Sequence, residues 1–285
     1  MGMGYQKTDR NVIDYDLWFG KDWRRGFRGP RSNLASAHDI VCIGAAQTFG
    51  RFVERPFSLQ LSEILQKTVL NLGVSGSGPD FYLSSPDLMQ HLRQAGTVIL
   101  QAMSGRSVSA GCLETMPNNF GVLRFTDGLE SETPYMAQKA YEKLRKERGE
   151  EAFQTQVAAV QKRWVELYLE LYREIPGRKL LLWLSSEAPG DNVDLTNSPL
   201  GTFPHFVTAG MVEALAEAGY EVVECILKDM PAQVLVNDRT GVVEEVFDRK
   251  SFPGRPDRLR ALNNYYATPE LHDLATRKLV AHLLK

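Results

Sequence analysis

His38-Asp-Ile-Val-Cys-Ile-Gly-Ala-Ala-Gln-Thr-Phe-Gly50 decides how this chain is read. The apolar run Ile40 to Ile43 has the length of a short strand, Gly44 ends it, and small or polar residues lead through Thr48 to a second glycine at Gly50. The pattern predicts a strand running into a tight turn. In an open α/β sheet such a turn lifts a side chain over the carboxyl ends of the strands, where ligands gather. The lifted residue here is Ala45 or Ala46, and a methyl group can neither attack a carbonyl nor hold a proton. The stretch has the form of a nucleophile loop without a nucleophile.

Working outward, apolar runs of strand length recur at Thr68–Leu72, Thr97–Met103, Lys179–Leu184 and Tyr220–Ile226, with helical periodicity between them. Near-continuous apolar runs alternating with helices indicate a parallel sheet covered on both faces. The expected fold class is therefore α/β, a three-layer αβα sandwich with a mostly parallel sheet of about five strands. Crossover handedness and the switch-point rule give the strand order 2-1-3-4-5. Residues 56–67 and 80–94 read as crossover helices. Residues 134–175 read as a helical insertion of two helices broken near Gly149, the second the longest in the chain, with Val157, Val160, Trp164, Leu167 and Leu171 in one stripe. That stripe packs on the sheet, or an exposed share of it forms a homodimer contact.

Residues 1–37, with Trp18, Trp23 and Phe27 among charges, read as an N-terminal segment wrapping a single domain at 38–285. Residues 104–133 and 185–205 read as loops following the third and fourth strands, at the ligand end. Over 285 residues, 33 Lys and Arg nearly balance 35 Asp and Glu, which gives no electrostatic case for nucleic acid or an anionic membrane. The three cysteines are scattered without metal or redox spacing, and no apolar run reaches the length of a membrane span or signal-peptide core. The expectation is a cytoplasmic protein with buried free thiols, no cofactor and no metal, its partner a small-molecule or saccharide ligand.

The second run ends in Asn71-Leu-Gly-Val-Ser-Gly-Ser-Gly-Pro-Asp80. Together with Gly44-Ala-Ala-Gln-Thr-Phe-Gly50 it resembles the first two sequence blocks of the SGNH (GDSL-like) hydrolases. The resemblance implies that fold, places Ala46 where the family has its serine nucleophile, and places Gly76 at the oxyanion glycine. The third block is looser: Ser104-Gly-Arg-Ser-Val-Ser109 stands where the family carries Gly-x-Asn. Thr268-Pro-Glu-Leu-His272 is similar to the last block, without its paired aspartate, since residue 269 is proline. The ensemble Phe27-Arg-Gly-Pro30, Gly44 to Phe52 and Gly73-x-x-Gly-x-Gly-Pro79 also resembles an uncharacterised bacterial domain family of unknown function.

The candidate catalytic residues are then His272 as base and Gly76 as oxyanion donor. The candidate ligand-binding residues are Ala46, Gln47, Thr48, Ser75, Ser104, Arg106 and Ser107. Arg106 has the planar charge to grip a carboxylate, sulfate or phosphate, or else a salt bridge to a loop carboxylate; Arg51 is a weaker version. Ser104 and Ser107 read as liners rather than nucleophiles, because nothing in the sequence sets a base beside either, and His205 lies in a loop that borders the site. Two functions fit. One is an SGNH-like enzyme that binds a small polar or sugar-derived ligand and performs transfer or hydrolysis by a changed mechanism, without ordinary serine esterase activity. The other is a non-catalytic saccharide-binding protein.

Overall fold

The structure is a computed structural model of the whole chain and describes residues 5–20, 26–30, 38–116, 119–128, 132–196, 198–247 and 259–285. Strands β1 (Ile40–Ile43), β2 (Val69–Asn71) and β3 (Thr97–Gln101) precede an antiparallel trio, β4 (Leu113–Met116), β5 (Asn119–Phe125) and β6 (Tyr135–Met136). Strands β7 (Arg178–Ser185) and β8 (Glu221–Ile226) complete the main sheet, and four two-residue strands follow, β9 (Gln233–Val234), β10 (Val246–Phe247), β11 (Leu259–Arg260) and β12 (Leu262–Asn263). The main sheet has the order β2-β1-β3-β7-β8, all pairs parallel, with Ile40 opposite both Val69 and Thr97. The fold is the expected α/β one, in the expected order.

Alternation along the strands builds two cores. Val41, Ile43, Val98, Leu100, Leu181 and Trp183 face one side. Ile40, Cys42, Ile99, Leu180, Leu182 and Leu184 face the other. Helices α3 (Phe57–Leu65) and α8 (Pro269–Leu283) cover the second side, packing on each other, on β2 and on β8. Helices α4 (Pro79–Leu83), α5 (Pro86–Gln94), α6 (Ala137–Glu174) and α7 (Ala209–Glu217) cover the first. Cys42 and Cys225 are free and buried, and burial raises both thiols, Cys225 to about 12, so neither is a reactive thiolate.

Two differences from the sequence reading have physical causes. The single helix expected over 80–94 is two, because Pro86 has no N–H to continue a ladder and instead starts α5 at its first position. The loop expected over 104–133 contains the β4–β5 pair, in which Leu113, Leu123 and Phe125 are buried while Arg124 and Glu114 form an ion pair on the outer face. Within α6, Gly149 departs from helical geometry at φ 86° and ψ 173°, which divides it at the expected place. Val160, Trp164, Leu167 and Leu171 are all buried within the chain, so this stripe serves the core.

The N-terminal segment, through the short helix α1 (Tyr5–Thr8) and residues to Trp18, packs on the turn after β1: Tyr5 and Tyr15 meet Phe49 edge-on at 5.5 and 4.8 Å. Trp18 and Phe27 pack with ring centroids 4.8 Å apart, tilted by 33°. Trp23 and residues 31–37 lie outside the described residues.

Candidate functional site

Because every strand of the main sheet is parallel, the turns after β1, β2, β3 and β7 all emerge at one edge, and glycines let three of them touch. A Cβ at Gly73 would collide with the backbone of Thr48 and Phe49, and one at Gly78 with the carbonyl of Ser107. Ala46, Gly76 and Ser104 thus share the carboxyl edge, on adjoining loops.

The first turn is stapled rather than open. Ala46 opens the short helix α2 (Ala46–Phe49) and is 3% exposed; Gln47 and Thr48 beside it are buried too. Gln101 Oε1, at the end of β3, accepts the N–H of Ala45 at 2.9 Å, the N–H of Thr48 at 3.3 Å and the Thr48 hydroxyl at 2.8 Å. From β2, Asn71 Nδ2 donates to Thr48 O and Ser58 Oγ, both at 2.8 Å, and its Oδ1 accepts the N–H of Gly73. Gln101 escaped the sequence reading, although a lone amide closing the apolar run Val98-Ile-Leu was its signal.

Arg51 is committed elsewhere. Its guanidinium meets Asp9 through two bonds, 2.7 and 3.0 Å, and donates to Tyr266 Oη at 2.6 Å. The pair is 3% and 0% exposed, and Tyr15 donates to the same carboxylate. The salt-bridge alternative holds here, and it fastens the N-terminal segment to the turn.

His272, in the first turn of α8, is 1% exposed and lies parallel to Phe57. Its Nδ1 accepts the N–H of Phe57 at 3.1 Å, which places the proton on Nε2, a buried atom with no partner. Burial, with the Arg28 charge adding, pushes its pKa down to about 3. An imidazole so hard to protonate is a weak general base at neutral pH.

The structure puts a histidine beside a serine at this edge. The backbone before Ser104 is held by α6: Tyr168 Oη accepts the N–H of Met103 at 2.8 Å and Trp164 Nε1 donates to Met103 O at 2.8 Å. From the loop after β7, His205 Nδ1 lies 2.7 Å from Ser104 Oγ, and His205 O accepts the N–H of Gly105 at 2.8 Å. Ser185 Oγ, closing β7, steadies that loop by donating to Phe203 O at 2.7 Å. The next residue after His205, Phe206, holds a left-handed backbone at φ 66°, strain of a kind that collects at functional sites. The sequence sets no base beside Ser104, and the imidazole that meets its hydroxyl comes from 101 residues away in the chain.

Arg106, two residues on from Ser104, makes no ion pair among the described residues. One nitrogen reaches Tyr265 Oη at 3.3 Å, and its buried Nε has no acceptor. Ser107 is buried, its N–H donating to Ser104 O, while Ser75 and Gly76, the latter at φ 81°, form the turn beside Ser77. Among the described residues, five buried side-chain polar atoms lack a partner, and four of them, on Gln101, Arg106, Thr268 and His272, stand at the end of β3, just beyond it and at the start of α8. No group of three or more His, Cys, Asp or Glu among the described residues could hold a metal ion. No helix among them is long and apolar enough to cross a membrane.

A family model matches residues 3–118 and 141–252. The chain belongs to the family described as Domain of unknown function (DUF6473). Curated proteins give no match. Among solved structures it is similar to the lipase Lip_vut3 from a goat rumen metagenome, at 13% identity and a TM-score of 0.42, covering 85% of this chain and 95% of that one. It is similar to a catalytic mutant of an acetylxylan esterase from Geobacillus stearothermophilus, at 9% identity and 0.42, covering 87% and 94%. It is also similar to a putative SGNH hydrolase from Slackia heliotrinireducens, at 14% and 0.39, covering 87% and 100%. Likenesses this distant assign no reaction and no residue role to this chain.

Proposed function

We propose that this protein is a hydrolase or transferase acting on a small polar or sugar-derived acyl compound, with Ser104 as nucleophile and His205 as its base. The observation that carries the reading is the 2.7 Å contact between Ser104 Oγ and His205 Nδ1 at the carboxyl edge of the sheet. With its proton on Nε2, the imidazole accepts the Ser104 proton at Nδ1 as Oγ bonds the acyl carbon. It then returns that proton to the leaving oxygen as the old ester bond breaks. Water, or an acceptor hydroxyl in transfer, repeats the cycle and frees the serine. The Gly76 N–H is the donor we assign to the developing oxyanion.

A fluorophosphonate probe tests this, since it reacts with an activated serine and stays attached. Peptide mass spectrometry should find the adduct on Ser104, absent in Ser104→Ala, and His205→Gln should slow labelling by about a hundredfold or more. Labelling elsewhere, or none, would defeat the reading. The second reading, a non-catalytic saccharide-binding protein, is favoured by the burial of Ser104 and Ala46, each 3% exposed. Saccharide binding by a protein that the probe leaves unlabelled would select it.

A further inference from the structure

We infer that Arg106 is an anion-holding residue, so that the compound processed at Ser104 carries a carboxylate, sulfate or phosphate group. The inference rests on the reading of Ser104 as nucleophile and adds the substrate class. Among the described residues, nine arginines make ion pairs with Asp or Glu; Arg106, like Arg10, Arg28, Arg173 and Arg277, makes none, and it alone of these keeps a buried side-chain N–H without an acceptor. Its described surroundings do not replace the missing carboxylate. The Nε–H is buried without an acceptor, and the guanidinium's bond to the hydroxyl of Tyr265, itself 38% exposed, is a long one at 3.3 Å. A buried N–H that has left water and found no acceptor is costly, and a planar guanidinium with spare donors is the side chain best shaped to take two oxygens of one anion.

Position gives this donor its meaning. Residues 104–107 run along the carboxyl edge with Ser104 facing His205 and Arg106 reaching toward Tyr265, on the segment that leads into α8. At the start of that helix, the buried Nε2–H of His272 also lacks an acceptor, and so does Gln101 Nε2 at the end of β3. Among the buried side-chain atoms left unpartnered at this edge, the three nitrogen donors outnumber the one hydroxyl, Thr268 Oγ1, and an oxygen-rich anion would correct that imbalance. A ligand whose reactive acyl carbon meets Ser104 would place a negative group at Arg106.

Binding is measured first, on full-length Ser104→Ala, which cannot turn over. Sodium succinate, sulfate and phosphate are titrated by calorimetry at matched ionic strength, and the same titrations are run on Ser104→Ala carrying Arg106→Gln or Arg106→Lys. At least one anion should bind saturably, about tenfold or more weaker with Gln and partly recovered with Lys. The anion that binds identifies the class. Equal binding with Gln at position 106, or no binding of any anion, overturns the inference. Melting curves for each variant show that a lost signal is not lost folding. With active protein, the preference for mono-p-nitrophenyl succinate over p-nitrophenyl acetate, taken as a ratio of kcat/KM, should fall about tenfold in Arg106→Gln. Fluorophosphonate labelling of Ser104 separates the two claims, because anion binding without labelling leaves Arg106 standing and removes the nucleophile, and labelling without anion binding does the reverse.

Discussion

Replacing His272 by Asn should flatten the acid limb of this protein's stability curve. In the folded chain the imidazole is held neutral by burial, its pKa about 3 against an ordinary 6.5. The unfolded chain has no such constraint and takes up a proton as the pH falls below about 6.5. Between those values the unfolded state binds more protons, so stability is fully present above the unfolded pKa and drains away toward the folded one. Each pH unit traversed between the two pKa values removes about 1.4 kcal/mol, so the loss attributable to this residue is about 3 kcal/mol between about pH 7.5 and about pH 4. An asparagine side chain in its place would still offer an oxygen to the Phe57 N–H, would not titrate, and would remove the unpartnered Nε2. Urea unfolding of both proteins across that range gives the two slopes. His38 and His91, also depressed by burial, are present in both chains and cancel from the difference. Parallel curves, separated by the same energy at every pH, would refute the assignment of a buried neutral imidazole.

Asp9→Ala strands the Arg51 guanidinium at 3% exposure and should cost about 3–5 kcal/mol, seen as a melting point lower by about 10 °C. Asp9→Leu combined with Arg51→Met should recover most of that loss, and a double variant no better than the single would count against burial of an unpaired charge as the cause. Glu221 is held at a pKa of about 2 by the two-pronged bond from Arg178, with His282 adding, so its contribution is present above pH 4.5 and lost as the pH falls through about 2. Glu221 is 37% exposed, so solvent keeps that contribution small, and Glu221→Gln should remove it from an acid titration followed by circular dichroism. Ala46→Ser should leave turnover of p-nitrophenyl acetate unchanged, since His272 Nδ1 is occupied and its pKa is far below neutral; a clear gain would show that the turn retains a working base and oxyanion donor.

What the sequence disclosed follows from where water is excluded. Strands β1, β3 and β7 are covered on both faces, so their residues read as unbroken apolar runs, and the interruptions between them had to be crossover helices. The β4–β5 pair was missed because only one of its faces is buried, and over a few residues its alternation is indistinguishable from a mixed loop. Ser104 and His205 could each be named from their positions after strands, yet their contact could not. It depends on the path taken by the loop from Ser185 to Phe206, which is set by a bond from Ser185 to Phe203 and by the backbone pairing of Gly105 with His205. Arg51 and Arg106 illustrate the same limit. Both follow strands of the sheet, and only the approach of Asp9 from 42 residues earlier distinguishes the occupied cation from the spare one.

The bonding of the first turn also favours the proposed placement of chemistry at Ser104 over Ala46. A loop that attacks a carbonyl needs a nucleophile and N–H groups left over for the oxyanion. At the turn after β1, Ala46 offers only a methyl, and two of the N–H groups, on Ala45 and Thr48, are taken by Gln101 Oε1. The carbonyl of Gly44 is likewise taken, by Tyr82 Oη at 2.7 Å and Ser77 Oγ at 2.9 Å. Every polar group engaged this way makes the turn a better structural closure and a poorer reaction centre, because freeing one now costs about 1–3 kcal/mol of desolvation. One strand over, the same sheet edge carries a hydroxyl with an imidazole at hydrogen-bond distance and a guanidinium that no described carboxylate neutralises. The Gln101 amide therefore has two consequences: it closes the first turn with Oε1, and it leaves Nε2, a buried donor, at the end of the strand that leads into Ser104.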